Sequence, residues 1–127
     1  GLFSVTSGPF SYTASSGDVI QMVKVPSGFR VKEICLKMTS ITLSAGGAVN
    51  MVFTVGDGGD ANRYMSASLA TNTAFRLGHN ITVASGDQFY RYSENDTIDV
   101  TITGITGTDS ASQTTMFNMS VFGSIDD

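Results

Sequence analysis

Apolar and polar residues alternate along short stretches of this chain, and Gly, Ser, Asp or Asn interrupts them at about every tenth position. Val49, Met51, Phe53 and Val55 take one side, Asn50 and Thr54 the other. Ile98, Val100 and Ile102 are set in the same way against Asp99, Thr101 and Thr103. Successive side chains on a strand point to opposite faces, so period-two patterning between turn signals predicts half-buried antiparallel strands.

Leu2 to Thr6 reads as an edge strand or an extended arm, and Phe10 and Tyr12 alternate with Ser11 and Thr13 beyond a Gly8-Pro9 break. A strand over Val19 to Val25 ends at the Pro26-Ser27-Gly28 turn, where Pro presets its own φ and Gly can take a positive one. Phe29 to Thr39 is the longest strand, and its phase slips. Phe29 and Val31 share one parity, Ile34, Leu36 and Met38 the other. A β-bulge near Lys32-Glu33 reconciles them, and burial on both faces at one end is the alternative. Val49 to Val55 and Arg63 to Leu69 pair around Asp57-Gly58-Gly59-Asp60. Residues 70 to 88 are the least regular, with short strand signals at Phe75-Arg76-Leu77 and Ile81-Thr82-Val83. Phe89 to Tyr92, Thr97 to Thr103 and Thr115 to Phe122 complete the set.

About eight strands at this turn spacing, without a helix longer than a turn or two, predict an all-β chain. The expected architecture is a single-domain antiparallel two-sheet sandwich over 1–127, jelly-roll-like, with 1–10 as an extended N-terminal arm. No Cys…Trp…Cys signature supports an immunoglobulin domain.

Composition narrows the use of this scaffold. The 127 residues make one domain of ordinary apolar content, 41%, but only 14% are charged. The polar surface is therefore mostly Ser, Thr and Asn, which suits a protein held within an assembly. The net charge of −4 hides a division along the chain. Lys24, Arg30, Lys32 and Lys37 cluster early, whereas no basic residue follows Arg91. If the basic and acidic segments occupy different faces, copies or partners can dock head to tail. An acidic chain without a dense Lys/Arg stripe offers no phosphate footprint, which argues against nucleic acid. No apolar run approaches a membrane span.

Chemistry is scarce. Cys35 is the single cysteine and reads as a small buried hydrophobe. His79, the single histidine, lies in a Gly-His-Asn turn. Neither supports a catalytic dyad, no Gly-rich loop precedes a helix, and neither enzymatic activity nor a bound cofactor is expected. Asp57, Asp60 and Asn62 are oxygen ligands at short spacing, a weak calcium motif. They lack the alternating ligand series and closing Glu of an EF-hand, and hairpin loops favour the same residues for backbone reasons. Phe89, Tyr90 and Tyr92 could form a sugar-stacking platform, but alternation splits them between faces.

Asp18-Val-Ile-Gln-Met-Val-Lys-Val-Pro26-Ser-Gly28, Val55-Gly56-Asp57, Asn62-Arg63-Tyr64, Tyr92 and Asn95-Asp96-Thr97-Ile98-Asp99-Val100 together resemble small β-rich virion structural proteins of tailed bacteriophages. The resemblance implies a capsid decoration (cement) protein, made in the bacterial cytoplasm and mounted on the outer capsid surface. Its partners would be the major capsid protein and copies of itself, as dimers or trimers. That group carries no catalytic motif to transfer. Beside it, Leu2, Phe3 and Phe10 are candidates for apolar contacts of the arm, and Arg30, Lys32 and Lys37 for a basic band facing acidic shell surface. The alternative is a receptor- or carbohydrate-binding β-sandwich module from a phage fibre or bacterial adhesin.

Overall fold

The computed structural model describes residues 2–13, 15–40, 50–70, 74–77, 90–106 and 114–125. They form eight strands: β1 Leu2–Thr13, β2 Val19–Val25, β3 Phe29–Ser40, β4 Asn50–Gly56, β5 Met65–Ala70, β6 Ala74–Leu77, β7 Asp96–Thr106 and β8 Thr114–Ile125. One sheet has the order β1-β8-β3-β6, the other β2-β7-β4-β5, and all pairings are antiparallel. Among the described strands, only β4–β5 is a hairpin within one sheet. Every other connection crosses between sheets, which is the eight-stranded jelly-roll arrangement.

The alternation in the sequence becomes the two inner faces. Phe117, Met119 and Val121 of β8 and Ile34 and Leu36 of β3 meet Met51, Phe53 and Val55 of β4 and Ile98, Val100 and Ile102 of β7 in one core. The phase slip in β3 is a bulge, with the register shifting between Val31 and Glu33 against β8. One extra residue lets Val31 and Ile34 both face inward despite opposite parity. A second bulge, between Gln21 and Val23, does the same for Ile20 and Val23.

Leu2 to Thr6, expected as an edge strand or extended arm, and the Phe10 to Thr13 stretch beyond it form one strand along β8, from Leu2 opposite Ser124 to Thr13 opposite Thr114. The Gly8-Pro9 break is a register shift within β1 rather than its end. Gly8 has φ +99°, and a Cβ there would press on the Phe117 carbonyl, so only glycine brings the chain this close to β8. Of the strand expected over Phe89 to Tyr92, Phe89 lies outside the described residues and 90–92 form no strand. Arg91 makes an isolated bridge to Arg30, flanked by backbone bonds from Tyr92 to Phe29 and from Val31 to Tyr90. The strand signal at Phe75-Arg76-Leu77 falls in β6, whereas Ile81-Thr82-Val83 and His79 lie outside the described residues.

Candidate functional site

Three segments meet at one end of the sandwich: the 26–28 turn, the 57–64 loop and residues 90–95. Ser27 ties the first to the third, its amide donating to Asn95 Oδ1 at 3.0 Å and its hydroxyl to the Ser93 carbonyl at 3.0 Å. The Gly28 amide adds a 2.7 Å bond to the Tyr92 carbonyl. In the 57–64 loop, the Asp57 amide donates to the Asp60 carbonyl and the Tyr64 amide returns to the Val55 carbonyl. The loop folds back directly over Gly56, where a Cβ would overlap the backbone of Asp60 and Ala61.

This fold-back buries the Asp57 side chain to 1% exposure and that of Arg63 to 10%. Asp57 Oδ2 accepts from Arg63 Nε at 2.7 Å and from the Tyr92 hydroxyl at 2.8 Å. Asp57 Oδ1 accepts the amides of Gly59 at 3.0 Å and Asp60 at 2.9 Å. The Tyr64 and Tyr92 hydroxyls lie 2.6 Å apart. Tyr92 spends its one proton on Asp57, so Tyr64 is the donor of that bond. Arg63 also lies over the Tyr90 ring, 3.6 Å from its centroid, and Tyr90 meets Tyr92 edge-on at 5.0 Å.

The electrostatics follow from these contacts. Burial alone would raise the Asp57 carboxyl. The bonds from Arg63, Tyr92 and the Asp60 amide, with the Arg63 charge, outweigh burial and hold it below the usual carboxylate range. Burial raises both Tyr64 and Tyr92, which therefore stay protonated as the hydroxyl chain requires. Asp99, on the neighbouring stretch of β7, moves oppositely. Burial raises it, and the charges of Asp96 and Asp57 add to that against the bond from Thr97.

The chemistry of this cluster is structural. Both Asp57 oxygens are engaged from within the protein, and Asp60 Oδ1 accepts the Asn62 amide. Among the described residues, no three His, Cys, Asp or Glu side chains are placed to hold a metal ion. Tyr90 and Tyr92 share a side, as alternation requires, but Tyr92 is buried and Arg63 covers a face of Tyr90. Phe89 lies outside the described residues. A groove of about 430 Å³ runs beside the loops, lined by Lys24, Val25, Pro26, Asn95, Asp96 and Thr97, none of them aromatic. Cys35 is partly buried, its Sγ 3.7 Å from Glu33 Oε1. Burial and the Glu33 charge raise its thiol, the opposite of nucleophile activation.

The remaining candidates are spread over the first sheet. Leu2, Phe3 and Phe10 lie along β1, opposite Ser124, Gly123 and Phe117 of β8. Arg30, Lys32 and Lys37 all belong to β3, with Lys32 and Lys37 exposed, but Arg30 and Lys37 are about 20 Å apart by strand rise. Lys24 is on β2 of the other sheet, as are Asp96 and Asp99 of β7. The basic residues of β3 and the acidic residues of β7 thus lie in opposite sheets. Arg63, Tyr64 and Tyr92 fall in segments that the sequence marks, but nothing in the sequence announces that they converge on Asp57. The available signal was an arginine just ahead of β5, a strand of small or apolar residues.

No family model matches the chain, and no curated protein matches it in sequence. Solved structures do match. A chain from the capsid of Ralstonia phage GP4 superimposes with a TM-score of 0.54 at 14% identity, covering 100% of this chain and 86% of its own length. The likeness is one of fold. A chain from the acidic stable capsid structure of Helicobacter pylori bacteriophage KHP30 matches at a TM-score of 0.49, with 12% identity over 95% of this chain and 86% of that one. A chain from the capsid asymmetric unit of cyanophage Pam1 matches at 0.48, with 17% identity over 95% and 81%.

Proposed function

We propose that this chain is a non-enzymatic structural protein of a bacteriophage virion, decorating the outer capsid surface and stabilising it by bridging major capsid subunits. The observation that carries the proposal is the jelly-roll fold, shared over the whole chain with a chain of a phage capsid. Fold alone does not imply function, and the residues add independent support. The most elaborate polar cluster described is buried and ties three loop segments together. A cement protein needs such stiffness and several outward surfaces, and no active site. Arg30, Lys32 and Lys37 on one sheet supply positive charge for an acidic shell, and copies of the chain are the second partner.

Virions produced from the genome that encodes this chain, purified and quantified by mass spectrometry, should contain it in copy numbers comparable to the major capsid protein. Its absence from virions would sink the proposal. The glycan-binding alternative requires an exposed aromatic platform, and Tyr64, Tyr90 and Tyr92 are committed to the loop network. Specific glycan-array binding by the isolated chain, together with that absence, would put the alternative in its place.

A further inference from the structure

We infer that the β1 edge of the first sheet pairs with the same edge of a second copy of this chain, joining two four-stranded sheets into one continuous sheet. The inference supplies a copy-to-copy contact for the proposed virion role; it depends on that reading for its use but not for its geometry. Among the described residues, β1 is an edge strand with β8 as its one neighbour in the sheet. A sheet edge presents a row of backbone N–H and C=O groups, and folded proteins blunt such rows with short strands, charges, prolines or bulges. Two of the other three described edges, β6 and β2, are treated in this way, and the third, β5, is an uncharged strand half the length of β1. β6 has four residues and carries Arg76, β5 has six, and β2 has seven with Lys24 and a bulge. β1 has twelve, and its bulge at Gly8-Pro9 leaves Leu2–Ser7 as a regular run without charge, proline or irregularity.

Charge and side chains name the occupant. Each chain carries a net −4, so like copies repel unless they meet where charge is missing. The first charged residue is Asp18, which makes β1 the longest uncharged strand on any edge. Ser4 and Thr6 are exposed on the outer face of β1, and small hydroxyl side chains form favourable cross-strand pairs. Next to them on β8, Phe122 is 39% exposed opposite Ser4, and Met116 is 37% exposed opposite Ser11. Among the residues whose burial is described, two of the four large exposed hydrophobics therefore stand one strand in from this edge. An antiparallel β1–β1 pairing is self-complementary about a two-fold axis and closes as a dimer.

The test is sedimentation equilibrium of the isolated full chain at micromolar concentrations, with Ser4→Lys/Thr6→Lys and Ser4→Glu/Thr6→Glu double variants. The side chains at these positions reach solvent in the single chain, and circular dichroism checks that each variant keeps the β-fold. The wild type should be a dimer. Each double variant should dimerise at least about tenfold more weakly, through like charges facing across the pair. An equimolar mixture of the two should restore a heterodimer. A monomeric wild type, or a dimer unchanged in both variants, overturns the inference. A monomer whose shell binding is lost in the variants also overturns it, and assigns the edge to the shell protein instead. Shell binding is scored separately: a dimer that ignores capsids counts against the proposed function alone, and a monomer that binds them counts against the pairing alone.

Discussion

Arg63→Met is expected to lower the stability of the fold by about 3–5 kcal/mol at pH 7, the cost of leaving a buried carboxylate without its partner. Asp57 is the more deeply buried member, at 1% side-chain exposure, and cannot recover by turning to water. Its remaining partners are the Tyr92 hydroxyl and two backbone amides, which carry no full charge. Asp57→Asn in the same background should recover part of the loss, because the stranded charge is then gone. The pH dependence gives a second readout. The Asp57 carboxyl is lowered in the folded wild type, so its contribution is present above the unfolded value of about 4 and is lost as pH falls through the lower folded value. Without Arg63, burial is opposed only by the Tyr92 hydroxyl and the backbone amides, and it is expected to raise the same carboxyl above its unfolded value. The variant should then gain stability between pH 7 and pH 5, where the wild type gains nothing from Asp57. Urea denaturation at pH 7, 5 and 3.5 separates the two. Equal losses for Arg63→Met and Arg63→Met/Asp57→Asn, with parallel pH profiles, would contradict the account of this cluster.

Gly123→Ala is expected to be comparably severe, by about 3 kcal/mol or more, although it adds a single methyl group. Gly123 lies at an inward-facing position of β8, opposite Phe3 and Val31. A Cβ there would overlap the Arg30 carbonyl and come within 2.8 Å of Phe29 Cζ. Phe29 is fully buried and Arg30 contributes backbone, so neither neighbour can swing aside. The bulge between Val31 and Glu33 follows immediately, and relief would have to come from moving the start of β3. Gly104→Ala is the control. The same methyl at Gly104 in β7 meets nothing within 4 Å, and stability should change by no more than about 1 kcal/mol. Thermal unfolding of the two variants side by side checks the contrast. Equal melting temperatures would mean that the β3–β8 contact is looser than the structure shows.

Much of the fold was legible because its signals are local. Alternation at 49–55 and 98–102 marked β4 and β7, and the change of parity between Val31 and Ile34 located a bulge that the β3–β8 register contains. β1 was read in two pieces because Gly8-Pro9 looks like a break. Only the partner strand reveals that the chain crosses it and continues along β8. The polar cluster at the loop end was not legible for the same reason. Asp57 and Asp60 belong to a loop whose composition suits a tight turn or a cation, and nothing within it announces Tyr92, thirty-five residues away. The parity of Tyr90 and Tyr92 could be read, but not the Arg63 guanidinium that covers Tyr90. Strand order also depends on which edges meet in space. The crossing connections that make this a jelly roll leave no mark on any single strand.

The proposal that this jelly-roll sandwich decorates and stabilises a phage shell is tested most directly with the intact chain. Capsid shells assembled from the major capsid protein without this chain are mixed with it, sedimented, and bound protein is counted against added protein. Saturable binding at a fixed ratio to shell subunits, together with a higher melting temperature of the loaded shells, is the predicted result. Free chain left in the supernatant at every concentration, with shells that melt as before, would contradict it.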